Sequence, residues 1–176
     1  MTDIPATMAL LRERLGPLLE GGEAVTPLPN ADIMVRVSPQ GLVAVASILK
    51  TDLGFTTLMN HLGVDYGDRM AVMYNLFAPL SGRKVTLQVL LDRAAPGVPS
   101  LEPVFRGIGW FERETYDLLG IVFHGHLNLR RLLLPGDWVG HPLRKDYVFP
   151  ERYGGIDLRR PDPLAPGGES VEISGG

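Results

Sequence analysis

The sequence predicts an α+β fold: a small antiparallel sheet of three or four strands with helices on one face, followed by an extended C-terminal arm. Three observations carry this. Residues 84–92 (KVTLQVLLD) set Val85, Leu87, Val89 and Leu91 at period two, and the short turn Ser81-Gly82-Arg83 joins them to the β-rich run 70–78 (MAVMYNLFA), which makes an antiparallel hairpin. Apolar residues at helical spacing occupy three other stretches. Beyond residue 125, glycine and proline interrupt the chain so often that no helix or sheet of ordinary length fits. Residues 1–125 are therefore expected to form the α+β domain, and residues 126–176 a Pro/Gly-rich arm made for a partner.

Taken in order, residues 5–20 read as a first helix, with Leu10, Leu11, Leu15, Leu18 and Leu19 near helical spacing and Gly21-Gly22 as its stop. Residues 33–37 (IMVRV) read as a short strand bounded by Asn30 and Ser38-Pro39. A helix follows over 40–51, with Leu42, Val45, Ala46 and Leu49 on one face. Residues 55–65 read as a strand kinked at Gly63, and the hairpin comes next. A last helix is expected from Ser100, as N-cap, to Leu119. Pro103 is tolerated in its first turn, Glu102 suits the positive end of the dipole, and Gly107 and Gly109 cost about 1 kcal/mol each against Ala. Its apolar face uses Leu101, Val104, Phe105, Ile108, Phe111 and Leu118 or Leu119.

The chain carries 17 Lys and Arg against 20 Asp and Glu, a formal charge of −3, which argues against general affinity for nucleic acid or membrane surfaces. It contains no cysteine, so this chain offers no disulfide, thiolate catalyst or Cys-ligated zinc or iron–sulfur cluster. The N-terminal stretch is amphipathic, not a secretory signal, and the longest apolar run, 42–49, is far below the roughly 20 residues that cross a bilayer. The expectation is a soluble cytoplasmic chain that spans no membrane. Residues 127–160 are the exception in charge, with seven Lys and Arg against four Asp and Glu, interleaved with Trp138, Tyr147, Phe149 and Tyr153. A long basic segment of that kind is either disordered or laid over a partner, and its aromatic content favours the partner.

The residues with chemical potential lie between Trp110 and Tyr147. On a helix, Arg113 and Asp117 at i,i+4 can pair, while Glu112 and Tyr116 share the adjacent face and Glu114 projects elsewhere. The bland interpretation is a solvated face; the crowding by Trp110, Phe111 and Tyr116 points instead to half-buried ion pairs at an interface. His124 and His126 flank Gly125 and would point one way on a strand, so that with Glu112 or His141 they could hold a metal, against the simpler role of a turn histidine bonded to backbone. Arg130-Arg131 and Arg144-Lys145 could hold phosphate, but no glycine-rich phosphate loop accompanies them, and no nucleophile elbow is present.

The stretch ERETYDLLGIVFHGHLNLRRLLLP, followed by GHPLRKDY, resembles the signature of the 30 kDa subunit family of respiratory complex I, the NADH:quinone oxidoreductase. The family pattern E-R-E-x-x-D-x-x-G-I-x-F-x-G-H-x-x-L-R-R is met by Glu112, Arg113, Glu114, Asp117, Gly120, Ile121, Phe123, Gly125, His126, Leu129, Arg130 and Arg131. Its sequel P-L-R-K-D-[YF] is met by Pro142, Leu143, Arg144, Lys145, Asp146 and Tyr147. One departure is Leu127-Asn128, where the family usually has Pro-Asp. The resemblance covers about residues 30–150 and implies a non-catalytic subunit of the peripheral arm of a proton-pumping complex, docked on the 49 kDa-type subunit near the quinone site. It implies that NAD, FMN, iron–sulfur clusters and quinone are held by partner subunits, and that the chain sits at the cytoplasmic side of the inner membrane through the complex. The equivalent subunit of a membrane-bound energy-converting hydrogenase is the alternative. The charges at 112–117 are then expected to anchor the arm by pairing with Arg130, Arg131, Arg144 and Lys145, or with the partner.

Overall fold

A computed structural model describes residues 4–19, 24–29 and 32–158 of the chain. Its centre is the expected hairpin: β4 (Arg69–Ala78) and β5 (Arg83–Asp92) pair antiparallel in unbroken register, from Arg69 opposite Asp92 to Ala78 opposite Arg83. β3 (Thr57–Asp65) lies antiparallel to β4 at one edge. On the other side β2 (Ile33–Arg36) runs parallel to β5, and β1 (Val25–Pro27) closes that edge antiparallel to β2. The sheet thus has five strands, in the order β1-β2-β5-β4-β3, one more than the sequence suggested. β1 is three residues ending in proline, too short to leave a periodic trace.

The period-two pattern does what it implies. Val72 opposite Val89, Tyr74 opposite Leu87 and Leu76 opposite Val85 face one side, and with α1 (Ile4–Leu15) and α2 (Leu42–Thr51) they bury a single apolar cluster. The alternate positions carry a polar ladder on the other side, where Thr86 donates to Asn75 at 2.6 Å, Asn75 to Asn60, and Arg36 to Gln88 at 3.2 Å. α1 ends at Leu15 and a 3₁₀ turn spans Gly16–Leu18, because Pro17 lacks an N–H and disfavours helical geometry at Gly16. The expected stop at Gly21-Gly22 lies outside the described residues.

Two expectations about glycine are corrected. The irregularity of β3 falls between Leu58 and Asn60, while Gly63 pairs regularly with Val72. Gly63 is required for packing: a Cβ there would lie 2.5 Å from Leu119 and 2.6 Å from Thr115, both on the last helix, α3 (Gly109–Leu119). α3 also begins eight residues later than the sequence suggested, with Ile108 and not Ser100 at its N-cap. Residues 97–99 form β6, parallel to β7 (Val122–His124), and Ser100 donates to the side chain of Glu112 instead of capping a helix. The chain then turns through Leu101 and a 3₁₀ segment, Arg106–Ile108, before α3 starts. Gly107 and Gly109 therefore lie before the helix interior, and the cost reckoned for them there does not arise. Leu101, Phe105 and Ile108 are buried as expected, from turns; Phe111 is exposed.

Residues 126–149 contain turns and no regular element, and a two-residue hairpin, β8 (Arg152–Tyr153) with β9 (Ile156–Asp157), follows. This segment does not stand away from the domain. It lies as a strap against α3 and the ends of β3 and β5, and residues 159–176 of the predicted arm lie outside the described residues.

His61 on β3 is buried against Tyr74 and Phe123, ring centroids 4.7 and 5.6 Å away, and neither ring nitrogen makes a well-formed hydrogen bond. Burial pushes its pKa from 6.5 down to about 3, only partly offset by the Met73 backbone. The ring stays neutral when folded and protonates when the chain unfolds, so its contribution is complete above pH 6.5 and is lost as pH falls from 6.5 towards 3. His61→Phe is expected to remove about 2 kcal/mol of the stability lost between pH 7.5 and pH 5, read as a flatter pH dependence of the urea unfolding midpoint.

Candidate functional site: the strap over α3

A helix ends with four carbonyls that lack intrahelical partners. In α3 the chain itself supplies donors to three of them, those of Asp117, Leu118 and Leu119, all from far along the sequence, beyond the last i→i−4 bond of the helix. Gly120, in the left-handed region at φ 73°, donates its N–H to Tyr116 O at 2.8 Å. His141 Nδ1 donates to Asp117 O at 2.9 Å, Leu143 N to Leu118 O at 3.0 Å, and Arg144 Nε to Leu119 O at 2.7 Å. A Cβ on Gly120 would come within 2.5 Å of the His141 ring, so only glycine lets the strap close here. The run Gly140-His141-Pro142-Leu143-Arg144 is thus the cap of a helix that ended about twenty residues earlier, and the cations Arg131 and Arg144 suit the negative end of its dipole. Burial holds the His141 pKa below its usual value, with Arg144 and Arg131 adding to the shift against the pull of the Asp117 backbone.

Asp117 fastens the strap's first half. Its side chain is fully buried, yet both oxygens are engaged: Oδ1 accepts from Arg131 Nη1 at 2.7 Å, and Oδ2 accepts three successive backbone N–H groups, Leu132 at 2.9 Å, Leu133 at 2.7 Å and Leu134 at 2.9 Å. Burial alone would raise its pKa, but the Leu134 N–H, the Arg131 guanidinium and the N–H groups of Leu132 and Leu133 together hold it below the usual carboxylate range. Arg131 also draws in the carbonyls of Trp138 and Gly140, at 2.9 and 3.0 Å. Arg113 does not pair with Asp117, as the i,i+4 spacing suggested. It donates to the carbonyls of Arg130 and Arg131, at 3.1 and 3.0 Å, because Asp117 is already saturated.

A second clasp was not foreseen. Asp65, at the end of β3, accepts from Gly67 N at 2.8 Å, from Arg93 Nε at 3.2 Å and Nη2 at 2.9 Å, and from Lys145 N at 3.0 Å. Arg93 grips Asp146 as well, at 2.7 and 3.0 Å. The Arg93 guanidinium outweighs burial and, with the Lys145 and Gly67 N–H groups, holds the Asp65 carboxyl well below its usual range. The Asp65-to-Gly67 turn is legible locally as Asp-Tyr-Gly; the partnership with Arg93 and Lys145 is not.

The other predicted residues are placed as follows. Glu112 is buried away from the strap, accepting Ser100 Oγ at 2.6 Å and Leu101 N at 2.8 Å, and burial raises its pKa. Glu114 is exposed and has no hydrogen bond or ion pair among the described residues. His126 bonds Gly109 O through Nε2 at 3.0 Å and accepts Asn128 N at Nδ1 at 2.9 Å, which fixes its tautomer. β7 ends at His124 and Gly125 turns at φ 82°, so the two histidines do not share a strand. Among the described residues no three His, Asp or Glu side chains converge as a metal site would require. Pro142 is half-buried, and Lys145 contributes its backbone N–H, not its ammonium. Tyr147 packs on Gly140, accepts Trp138 Nε1 at 3.0 Å and donates to Val139 O at 3.1 Å; Phe149 and Tyr153 complete that aromatic group.

Fold and site together define a class: a small α+β domain over whose last helix the C-terminal segment is buckled by buried charge. The chain belongs to the respiratory-chain NADH dehydrogenase 30 kDa subunit family, whose model matches residues 35–153. It is 40% identical over 144 residues to the C subunit of NADH-quinone oxidoreductase from Chloroherpeton thalassium, covering 78% of this chain and 60% of that protein, so it spans less than two thirds of that relative's length. It is 40% identical to the C subunit from Roseiflexus castenholzii, over 82% of this chain and 83% of that one. It is 43% identical to the J subunit of NAD(P)H-quinone oxidoreductase from Prochlorococcus marinus, over 68% and 74%. The fold is shared with a trypsin-resistant fragment of Nqo5 (TM-score 0.60, 22% identity, 72% of this chain and 98% of that one). It is also shared with a chain of an archaeal membrane-bound sulfane sulfur reductase (TM-score 0.61, 15% identity, 81% and 86%). Among the described residues no helix is long and apolar enough to cross a membrane.

Replacing Asp117 with Ala strands Arg131 and three N–H groups and is expected to cost about 3–5 kcal/mol in chemical denaturation, with the amides of Leu132, Leu133 and Leu134 losing hydrogen-exchange protection first. The folded pKa values of Asp117 and Asp65 are depressed, so their contribution is present above the unfolded carboxylate value of about 4 and is lost as pH falls through the lower folded values. Exchange at those three amides, corrected for intrinsic rate, should therefore rise only below about pH 4.

Proposed function

We propose that the chain is a non-catalytic structural subunit of the peripheral arm of a proton-pumping NADH:quinone oxidoreductase, and that it docks through the outer face of the strap on the 49 kDa-type subunit near the quinone site. One observation carries this. Arg131, Arg144 and the backbone of residues 132–134 are turned inward onto α3 and satisfied there, while Val139, Leu143 and Val148 stand 84%, 60% and 85% exposed. Apolar groups on a segment already held in one conformation suit a protein interface, since little ordering entropy remains to be lost on binding. Part of the sequence signature supports this division of labour: Arg113, Asp117, Arg131 and Arg144 fasten the strap from within, and Val139 and Leu143 face outward. In this reading NAD, FMN, iron–sulfur clusters and quinone belong to partner subunits, and the chain is held peripherally at the cytoplasmic side of the inner membrane through the complex.

A second reading keeps the docking but changes the electron donor, as in the equivalent subunit of an energy-converting hydrogenase or related complex. It is favoured by the occurrence of this fold in an archaeal respiratory membrane complex, a sulfane sulfur reductase. The subunits that co-purify with the tagged chain from gently solubilised membranes separate the two: flavin-binding subunits support the first, a nickel–iron large subunit the second.

The combined change Val139→Ser, Leu143→Ser and Val148→Ser is expected to lower recovery of the large quinone-site subunit at least tenfold, while the isolated chain keeps its unfolding free energy to within about 0.5 kcal/mol per site. Normal assembly of that variant would remove the strap as the docking face. Arg144→Ala is a poorer probe than its position in the motif suggests, because it uncaps α3 within the chain.

A further inference from the structure

The strap occupies the C-terminal end of α3. The other end carries positive charge that the chain balances only in part. Arg113 is 8% exposed, its Nε and Nη2 donate only to backbone carbonyls, and its guanidinium lies 4.9 Å from the centre of the Trp110 ring. No carboxylate among the described residues pairs with it, and Nη1 has no acceptor there. Arg106, in the 3₁₀ segment before α3, is exposed and makes no hydrogen bond or ion pair among the described residues. The two arginines and Trp110 line a cleft of about 170 Å³. It shares Glu102 and Arg106 with a second cleft of about 500 Å³ that Leu127 also lines. Glu102 is the one carboxylate in either lining; it accepts Leu127 N at 3.0 Å and forms no ion pair with either arginine, and its single charge leaves one of the two guanidinium charges unmatched in the cleft. Trp110 is 65% and Leu127 86% exposed at the margins.

A nearly buried guanidinium without a counter-ion is costly unless something supplies the charge. The fork of a second arginine at the same cleft suits a carboxylate, and an exposed Trp beside Arg is the composition of an interface hot spot. The apolar margins on both sides exceed what a bare ion would cover. Resting on the subunit reading above, we infer that this cleft receives an Asp or Glu side chain of a partner polypeptide, seated between Arg106 and Arg113, with an adjacent apolar residue packed on Trp110 and Leu127. This is a second contact with the assembly, separate from the strap's outer face.

The test uses the assembled complex. With p-benzoylphenylalanine at position 110, irradiation should cross-link the chain to one subunit, at a peptide in which an acidic residue neighbours an apolar one. R106E should lower incorporation at least tenfold and R106K should largely restore it, while isolated R106E unfolds at the wild-type denaturant concentration, since Arg106 makes no internal bond. Changing the acidic residue of the cross-linked peptide to Lys should recover incorporation of R106E. Normal assembly of R106E, or cross-linking only to lipid or to a peptide without an acidic residue, overturns the inference and leaves the strap's role standing. A wild-type chain that co-purifies with no other subunit overturns both.

Discussion

Asp117 carries its charge into the interior, and that is tolerable only because the chain brings five donor hydrogen bonds to it or to its own backbone carbonyl from a single turn, Arg131 through Leu134. The rest of the strap depends on this closure. Once Arg131 is fixed on Asp117, its second amino group gathers Trp138 O and Gly140 O, and His141, Leu143 and Arg144 arrive at the open carbonyls of α3. The carboxylate and the helix end are satisfied together, and the arrangement is charged where a simpler protein would be apolar.

Helix α3 consequently buries polar side chains along much of its length. Glu112 fixes the turn at Ser100 and Leu101, Thr115 and Leu119 meet Gly63 of β3, and Asp117 fixes the strap. One helix therefore joins the sheet, the β6–β7 pair and the strap. The second clasp, Asp65 with Arg93, Asp146 and the Lys145 N–H, ties the far end of the strap to the sheet. Held at both ends, the strap presents its intervening apolar side chains as a fixed surface.

Much of the fold was legible in the sequence. Period-two burial in residues 84–92 and the tight turn before them specify the central hairpin, because a strand's side chains alternate faces whatever its neighbours do. Leu42, Val45, Ala46 and Leu49 fall on one side of α2 for the equivalent helical reason. Less was legible where two local preferences competed. Ser100 has the chemistry of an N-cap, but the β6–β7 pairing holds residues 97–99 extended and turns its hydroxyl to Glu112. Gly63 reads as a kink, and its real constraint, the approach of Thr115 and Leu119, comes from a helix some fifty residues away.

The sequence by itself determined the α+β class, the central antiparallel hairpin, the end of the last helix at Leu119 and the membership signature between Glu112 and Tyr147, all properties of local spacing and composition. Only the tertiary structure decided which charge meets which. Arg113 and Asp117 are spaced to pair on a helix, yet each finds partners 14 to 18 residues on, and Asp65 is met by Lys145 at a separation of 80. A side chain's periodicity tells which face it takes, but a buried charge goes to whichever donors the closed chain brings within about 3 Å, and that is set by the path of the whole backbone.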